Sequence, residues 1–374
     1  MFLALKEINR ARVRFGLLMA AIGLLVFLIL TQQALQDGLL TSFVGAIERQ
    51  SAPVVVYSVD GQRTLQGSII TPDLQDSIEA VDGVAGSGRI GQGTFTAEID
   101  GGDQVDVAVI GYDDPDLGAP DQLSSGRMPD GADEAVGSSV DFALGDAVAV
   151  VPSGPGAEPV TFEVVGLADD AQIQVTPTLF APWDGYEAAV LAANPDATDV
   201  LPNAIGVRPE GGVSDAGLTR RINAAVDEAD ALTRQQAADE APGVAQVRQS
   251  FQVIFLLYGL VVPLVTGLFF LIITFQKSAS LTLLRAIGAP SSALVRSLIV
   301  QVILVMGGGI LIGVLLYAPL SQVELGTIAL RFDLRAVVFW SVLLLVLGVL
   351  SALASARRVL AIDPIEATVG GGGR

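Results

Sequence analysis

Side chains able to do chemistry are scarce in this chain, and what is missing narrows the options first. Histidine and cysteine do not occur. That removes Ser-His-Asp and Cys-His nucleophiles, the usual zinc ligands and any disulfide framework. No G-x-x-x-x-G-K-[ST] run occurs, so the chain brings no phosphate-cradling loop of its own. The acids form no D-x-[DN]-x-[DN]-G calcium loop. A membrane-anchored enzyme is therefore the weakest of the function classes. Two sets of residues remain. Within apolar runs, Met19, Tyr258, Met306 and Tyr317 offer a thioether or a phenol to an amphipathic ligand, with packing as the plain alternative for each. Between two apolar runs, "KSASLTLLRAIGAPSSALVRS" (Lys277 to Ser297) carries Lys277, Arg285 and Arg296 and no acid.

The elements that must position these residues are membrane spans. Of the 374 residues, 51% are hydrophobic. Four windows are long and apolar enough to cross a bilayer: Phe15 to Leu35, Phe251 to Phe275, Leu294 to Leu320 and Ala336 to Ala356. The first follows a basic stretch as a signal peptide would. Its apolar run is longer than a signal's, and no small-x-small site follows at once, so an uncleaved span is expected. No acid or base sits in the middle of a span, which argues against a proton relay or charged ion path.

Charge predicts the orientation. Residues 36–250 hold 35 acids and nine bases, whereas Lys6, Arg10, Arg12 and Arg14 precede the first span and Arg357 and Arg358 follow the last. Lys and Arg near span ends favour the cytoplasm. Both termini and the 277–293 loop are expected inside, and the acidic segment outside. Acidity of this kind solvates a domain and repels nucleic acid.

The outer segment reads as mixed α/β. "PVVVYSV" (Pro53–Val59), "GTFTAEI", "QVDVAVIGY", "DAVAVV", "VTFEVVGLA" and "NAIGVRPE" read as strands. Thr71-Pro72 and Ser214 open helices. Helix-compatible sequence on either side of this segment predicts a stalk, with loosely packed linkers as the alternative. Inside the membrane, Gly259, Pro263 and Gly267 recur four apart, and Gly309 and Gly313 repeat the spacing. Small faces let helices approach closely, and packing within one subunit explains them as well as dimerisation does.

Residues 279–287 form a good helix, with Gly288 suited to a left-handed cap and Pro290 to stop it. Leu281, Leu284 and Ile287 fall roughly on one side beside Arg285. The segment is a short helix across the inner ends of two spans, or an interfacial helix on lipid phosphates.

"LTLLRAIGAPSSALVRSLIVQ" resembles the motif of FtsX-like, MacB-type ABC transporter permeases. "MFLALKEINRARVRFGLLMAAIGLLVFLIL", "SGRMPDGADEAVGSSVDFALGDAVAV" followed by "VTFEVVGLA", and "IDPIEA" (Ile362 to Ala367) are similar to other parts of that family, in the same order. The resemblance is weakest over 166–204. It implies an α-helical membrane protein of four transmembrane helices with a large mixed α/β extracytoplasmic domain on a helical stalk. The divisions would be a cytoplasmic helix and first span at 1–36, a MacB-like domain with stalk helices at 37–250, and a permease domain at 251–374. It further implies a homodimer in a bacterial plasma membrane with two copies of a separate ATPase. This chain would bind no cofactor, while ATP and Mg would sit on the ATPase. Leu281, Leu284, Arg285, Ile287 and Gly288 would form the coupling helix that docks into it. The expected function is ATP-driven export of an amphipathic substrate (a lipid, antimicrobial compound or haem) by mechanical transmission. The alternative is a non-transporting regulator of an extracytoplasmic cell-wall hydrolase.

Overall fold

The computed structural model describes residues 11–154, 158–276, 291–321, 324–325 and 328–360. The chain divides into two compact units, one of Met1–Gln36, Gln249–Val323 and Leu330–Arg374, the other of Asp37–Arg248 and Glu324–Ala329.

Among the described residues, four helices are long and apolar enough to cross a membrane. They are α1 (Arg12–Arg49), α6 (Val244–Gln276), α7 (Ser291–Leu320) and α8 (Leu334–Leu360). Each is apolar on both faces. In α1, Phe15, Leu18, Ile22, Val26 and Ile29 recur at three- and four-residue steps and are buried, while Leu17, Leu24 and Leu28 point outward. In α6, Leu256, Leu260, Leu264 and Leu268 form an outward stripe at four-residue steps. A helix apolar all round, with one face outside the bundle, has hydrocarbon for its solvent. At 1.5 Å per residue the 38 residues of α1 measure about 57 Å, nearly twice the ~30 Å that lipid tails require.

The other unit is built on one mixed ten-stranded sheet. Its strands are β1 (Val54–Ser58), β2 (Val84–Ile99), β3 (Gln104–Tyr112), β4 (Ser125–Gly126), β5 (Glu134–Ser138), β6 (Ala147–Val150), β7 (Val160–Ala168), β8 (Thr178–Pro182), β9 (Ala204–Pro209) and β10 (Ala229–Thr233). The order is β10-β1-β9-β2-β3-β8-β5-β7-β4, with β6 joining β2 to β7. The β3–β8 and β5–β7 pairs are parallel and the rest antiparallel. Helices α2 (Pro72–Glu79), α3 (Trp183–Ala193), α4 (Asp215–Ala225) and α5 (Arg234–Asp239) cover it. The expected caps form. Thr71 accepts a hydrogen bond from the Leu74 N–H and Ser214 from the Gly217 N–H, each satisfying an orphan donor of a first turn. Thr233 and Gln236 add a reciprocal capping box to α5.

Sequence pattern left five of these elements unread: β4, β5, β8, α3 and β10. It also shortened β2, which runs back to Val84 through Gly86, Gly88, Gly91 and Gly93. Gly91 and Gly111 are required by packing, because a Cβ at either would lie 2.3–2.4 Å from the Tyr186 ring of α3.

Candidate functional site

Within the membrane unit the helices meet along two seams. The first joins α1 to α7. A Cβ at Gly309 would lie 2.6 Å from Ile22 Cγ2, and one at Gly313 would lie 2.6 Å from Val26 Cβ and 2.7 Å from the Gly23 carbonyl. Gly23 answers from α1, where a Cβ would meet Ile312 at 2.8 Å. Gly309 and Gly313 thus face α1 of their own chain, and the missing side chains bring the two backbones together. Gly259 is different, since a Cβ there would meet nothing within 4 Å. Gly267, two turns further along α6, is buried.

The second seam joins α6 and α8. Pro263 removes one backbone donor from α6, and Ser351 Oγ of α8 donates to the Pro263 carbonyl at 2.5 Å. The Phe255 and Trp340 rings lie 5.1 Å apart, and Trp340 Nε1 donates to Gln33 Oε1 of α1 at 3.4 Å. Met306 is fully buried here. Thr266 Oγ1 lies 3.7 Å from its sulfur, and its terminal methyl would stand 2.9 Å from a Cβ on Gly348. Tyr317 is also buried, donates to the Arg331 carbonyl at 2.9 Å and stacks on Phe332. Met19 and Tyr258 are only partly buried against the same apolar cluster, Met19 with its sulfur over Gly308. Of the four ligand candidates, these two keep an outward face.

At the end of α6, Arg14 Nη1 of α1 donates to Gln276 Oε1 at 2.5 Å. Gln276 is the residue before Lys277, so this contact lies next in sequence to the basic stretch. The coupling residues Leu281, Leu284, Arg285, Ile287 and Gly288 lie outside the described residues, as does Ile362 to Ala367. Nothing in the sequence marked Gln276 or Ser351, because a lone polar residue in an apolar helix has no period to reveal it.

In the other unit, the last turns of α1 are gripped by the loop between β7 and β8. Ala46 N–H donates to the Gln172 carbonyl at 2.8 Å, Gln174 N–H to the Phe43 carbonyl at 3.0 Å, and Val175 N–H to the Ser42 carbonyl at 2.8 Å. Arg49 pairs with Asp170 at 3.1 Å. The approach is so close that a Cβ on Gly45 would sit 2.2 Å from the Asp170 carbonyl. Asp170, Gln174 and Val175 take positive φ to make it, and for the β-branched Val175 that is a strained conformation. Behind the loop, Gln172 Nε2 and Ser138 Oγ donate to Asp141, whose pKa is nonetheless raised by burial. The segment "SGRMPDGADEAVGSS" closes on itself. Arg127 pairs with Glu134, which also accepts from the Asp130 N–H at 2.8 Å, and these hydrogen bonds pull Glu134 down to about 2. Its features serve this turn. Among the described residues no group of three or more acids is placed to hold a metal ion.

No family model matches the chain. Curated relatives match from end to end. A putative hemin transport system permease of Staphylococcus epidermidis is 23% identical over 376 residues, covering 100% of both chains. An uncharacterized ABC transporter permease of Mycobacterium tuberculosis is 23% identical over 372 residues, covering 98% of this chain and 99% of that one. Among solved structures, the extracellular domain of the transporter YknZ shares 13% identity at a TM-score of 0.32, covering 48% of this chain and 99% of that domain. With four helices long and apolar enough to cross a membrane and an α/β unit following the first of them, the chain is similar over its whole length to permease proteins of ABC transporters.

Proposed function

We propose that this permease couples ATP hydrolysis on a partner ATPase to export of an amphipathic substrate, with haem as the first compound to test. The observation that carries the reading is the match to a hemin transport permease over the full length of both chains. In this reading the chain is a homodimer in a bacterial plasma membrane, with both termini inside. The ATPase docks on 279–288, and its closure pulls on Gln276 and, through Arg14, on α1. Helix α1 carries the movement outward to the loop at 170–175. Lacking His and Cys, the protein would offer haem outward apolar side chains of its helices and, at Tyr258 or Met19, a phenol or thioether.

The test is co-expression with a candidate partner ATPase, in a host sensitive to hemin, together with ATPase turnover in nanodiscs. Raised hemin tolerance and hemin-stimulated turnover are expected. Stimulation by a lipid or antimicrobial peptide, with none by hemin, would replace the substrate. Activation of a cell-wall hydrolase without movement of any compound would overturn export.

A further inference from the structure

A cavity of about 10 Å³ lies inside the α/β unit, walled by Ala46, Ile47 and Gln50 from the end of α1 and by Tyr57, Ile90 and Phe180 from the sheet. Its remaining lining is apolar or glycine, and no charged side chain borders it. Two of its lining residues each carry a polar atom that is buried without a protein partner. The Tyr57 hydroxyl belongs to a side chain 0% exposed, and Gln50 Oε1 to one 5% exposed. Two more orphans lie on the same sheet face. In the β2–β3 register Ile90 faces Tyr112 and Gln92 faces Ile110, and the Tyr112 hydroxyl and the Gln92 amide are likewise buried without partners.

Buried polar groups in folded proteins are almost always bonded, because leaving one bare costs its full desolvation. Tyr57 and Gln50 line the same small space, yet their unpartnered atoms do not bond each other. Whatever joins them must be neutral, must accept from a phenol and donate to an amide oxygen, and must fit a space that holds one water at roughly 10–15 Å³. Burial, with the nearby charge of Asp230, raises the Tyr57 pKa, so the phenol keeps its proton and acts as a donor. We propose that the cavity is a binding site for a single water molecule, which accepts from Tyr57 Oη, donates to Gln50 Oε1 and ties the last turn of α1 to β1. The site is independent of the transported compound.

The test turns on the sign of a stability change. If the two groups were simply bare, replacing either by an apolar isostere would remove a buried liability and raise the melting temperature. If they share a water, each replacement removes one of its bonds. Tyr57→Phe and Gln50→Met in the full-length protein are each expected to lower Tm by about 2–4 °C. The double variant should lose less than the sum, because both changes break one bridge. A rise or no change in either single variant, or strict additivity in the double, overturns the proposal. Should the variants fail to fold, the wild type decides by itself. A structure finer than about 2 Å should show a density peak between Tyr57 Oη and Gln50 Oε1, and a direct bond between the two or a dry cavity in that map also overturns it.

Discussion

Replacing Gly313 by alanine tests the seam between α1 and α7 at its tightest point. The new methyl would begin 2.6 Å from Val26 Cβ and 2.7 Å from the Gly23 carbonyl. Comfortable contact begins near 3.4 Å, so the helices must separate locally by about 0.7 Å. The obstacle is backbone on one side and a branched, rotamer-locked valine on the other, and neither swings away. Overpacking of this kind costs about 1–3 kcal/mol, and the separation also loosens Ile22 against Gly309. Gly259→Ala is the internal control, because it adds the same methyl to another span where nothing lies within 4 Å. There the gain in helix propensity, up to about 1 kcal/mol, stands unopposed. Thermal unfolding of the two purified variants in one detergent should therefore place Gly313→Ala several degrees below Gly259→Ala. Equal melting temperatures would refute the argument, since the seam would then not be close-packed. A loss of dimer in Gly259→Ala alone would show that its open face is a meeting place for two copies.

Gly45→Ala should loosen the grip of the 170–175 loop on α1, seen as faster amide exchange at Gln174 and Val175 while β1 stays protected; unchanged exchange would contradict the close approach to Asp170. Glu134 is held at about 2 against an ordinary 4.5 by Arg127 and the Asp130 N–H, so its contribution is complete above pH 4.5 and lost as pH falls towards 2. The wild type should melt above Glu134→Gln at pH 6, with the gap closing through that window; a constant gap would place the effect elsewhere. Leu284→Ala with Arg285→Ala should weaken co-purification of the ATPase or uncouple it from substrate, whereas a helix resting on lipid headgroups predicts wild-type yield. For topology, Ser125→Cys should react with an impermeant thiol reagent on intact cells and Ser280→Cys should not, and the reverse pattern would invert the orientation.

The spans were legible because a lipid solvent writes a coarse signal, about 20 apolar residues in a row. The capped helices at Thr71 and Ser214 were legible because their signals are local. What stayed hidden depended on distant partners. The first half of β2 was hidden because Gly91 makes sense in a strand only once Tyr186 of α3 is seen lying across it and Gly111 of β3. β8 is a short apolar run without alternation, and α3 starts after Pro182 with no side-chain cap. The candidate site divides the same way. The small-residue spacing at Gly259, Gly309 and Gly313 is plain in the sequence, but which neighbour each one meets is not. Four residues apart means one face, and only the bundle distinguishes a face against α1 from one left open.

The grip on α1 also makes that helix a ruler. Each residue turns the helix by about 100° and advances it 1.5 Å. Gly45 must meet the Asp170 carbonyl, and Phe43 the Gln174 amide, on one particular side. One residue inserted between Phe43 and Val44 would leave Ser42 and Phe43 on their partners but turn Gly45 a quarter-turn or more away, and Val44 would then stand against the Asp170 carbonyl where only a glycine fits. The interval between the two contacts is thus quantised by the helix. A change of length between Phe43 and Gly45 should be rejected whatever its chemistry.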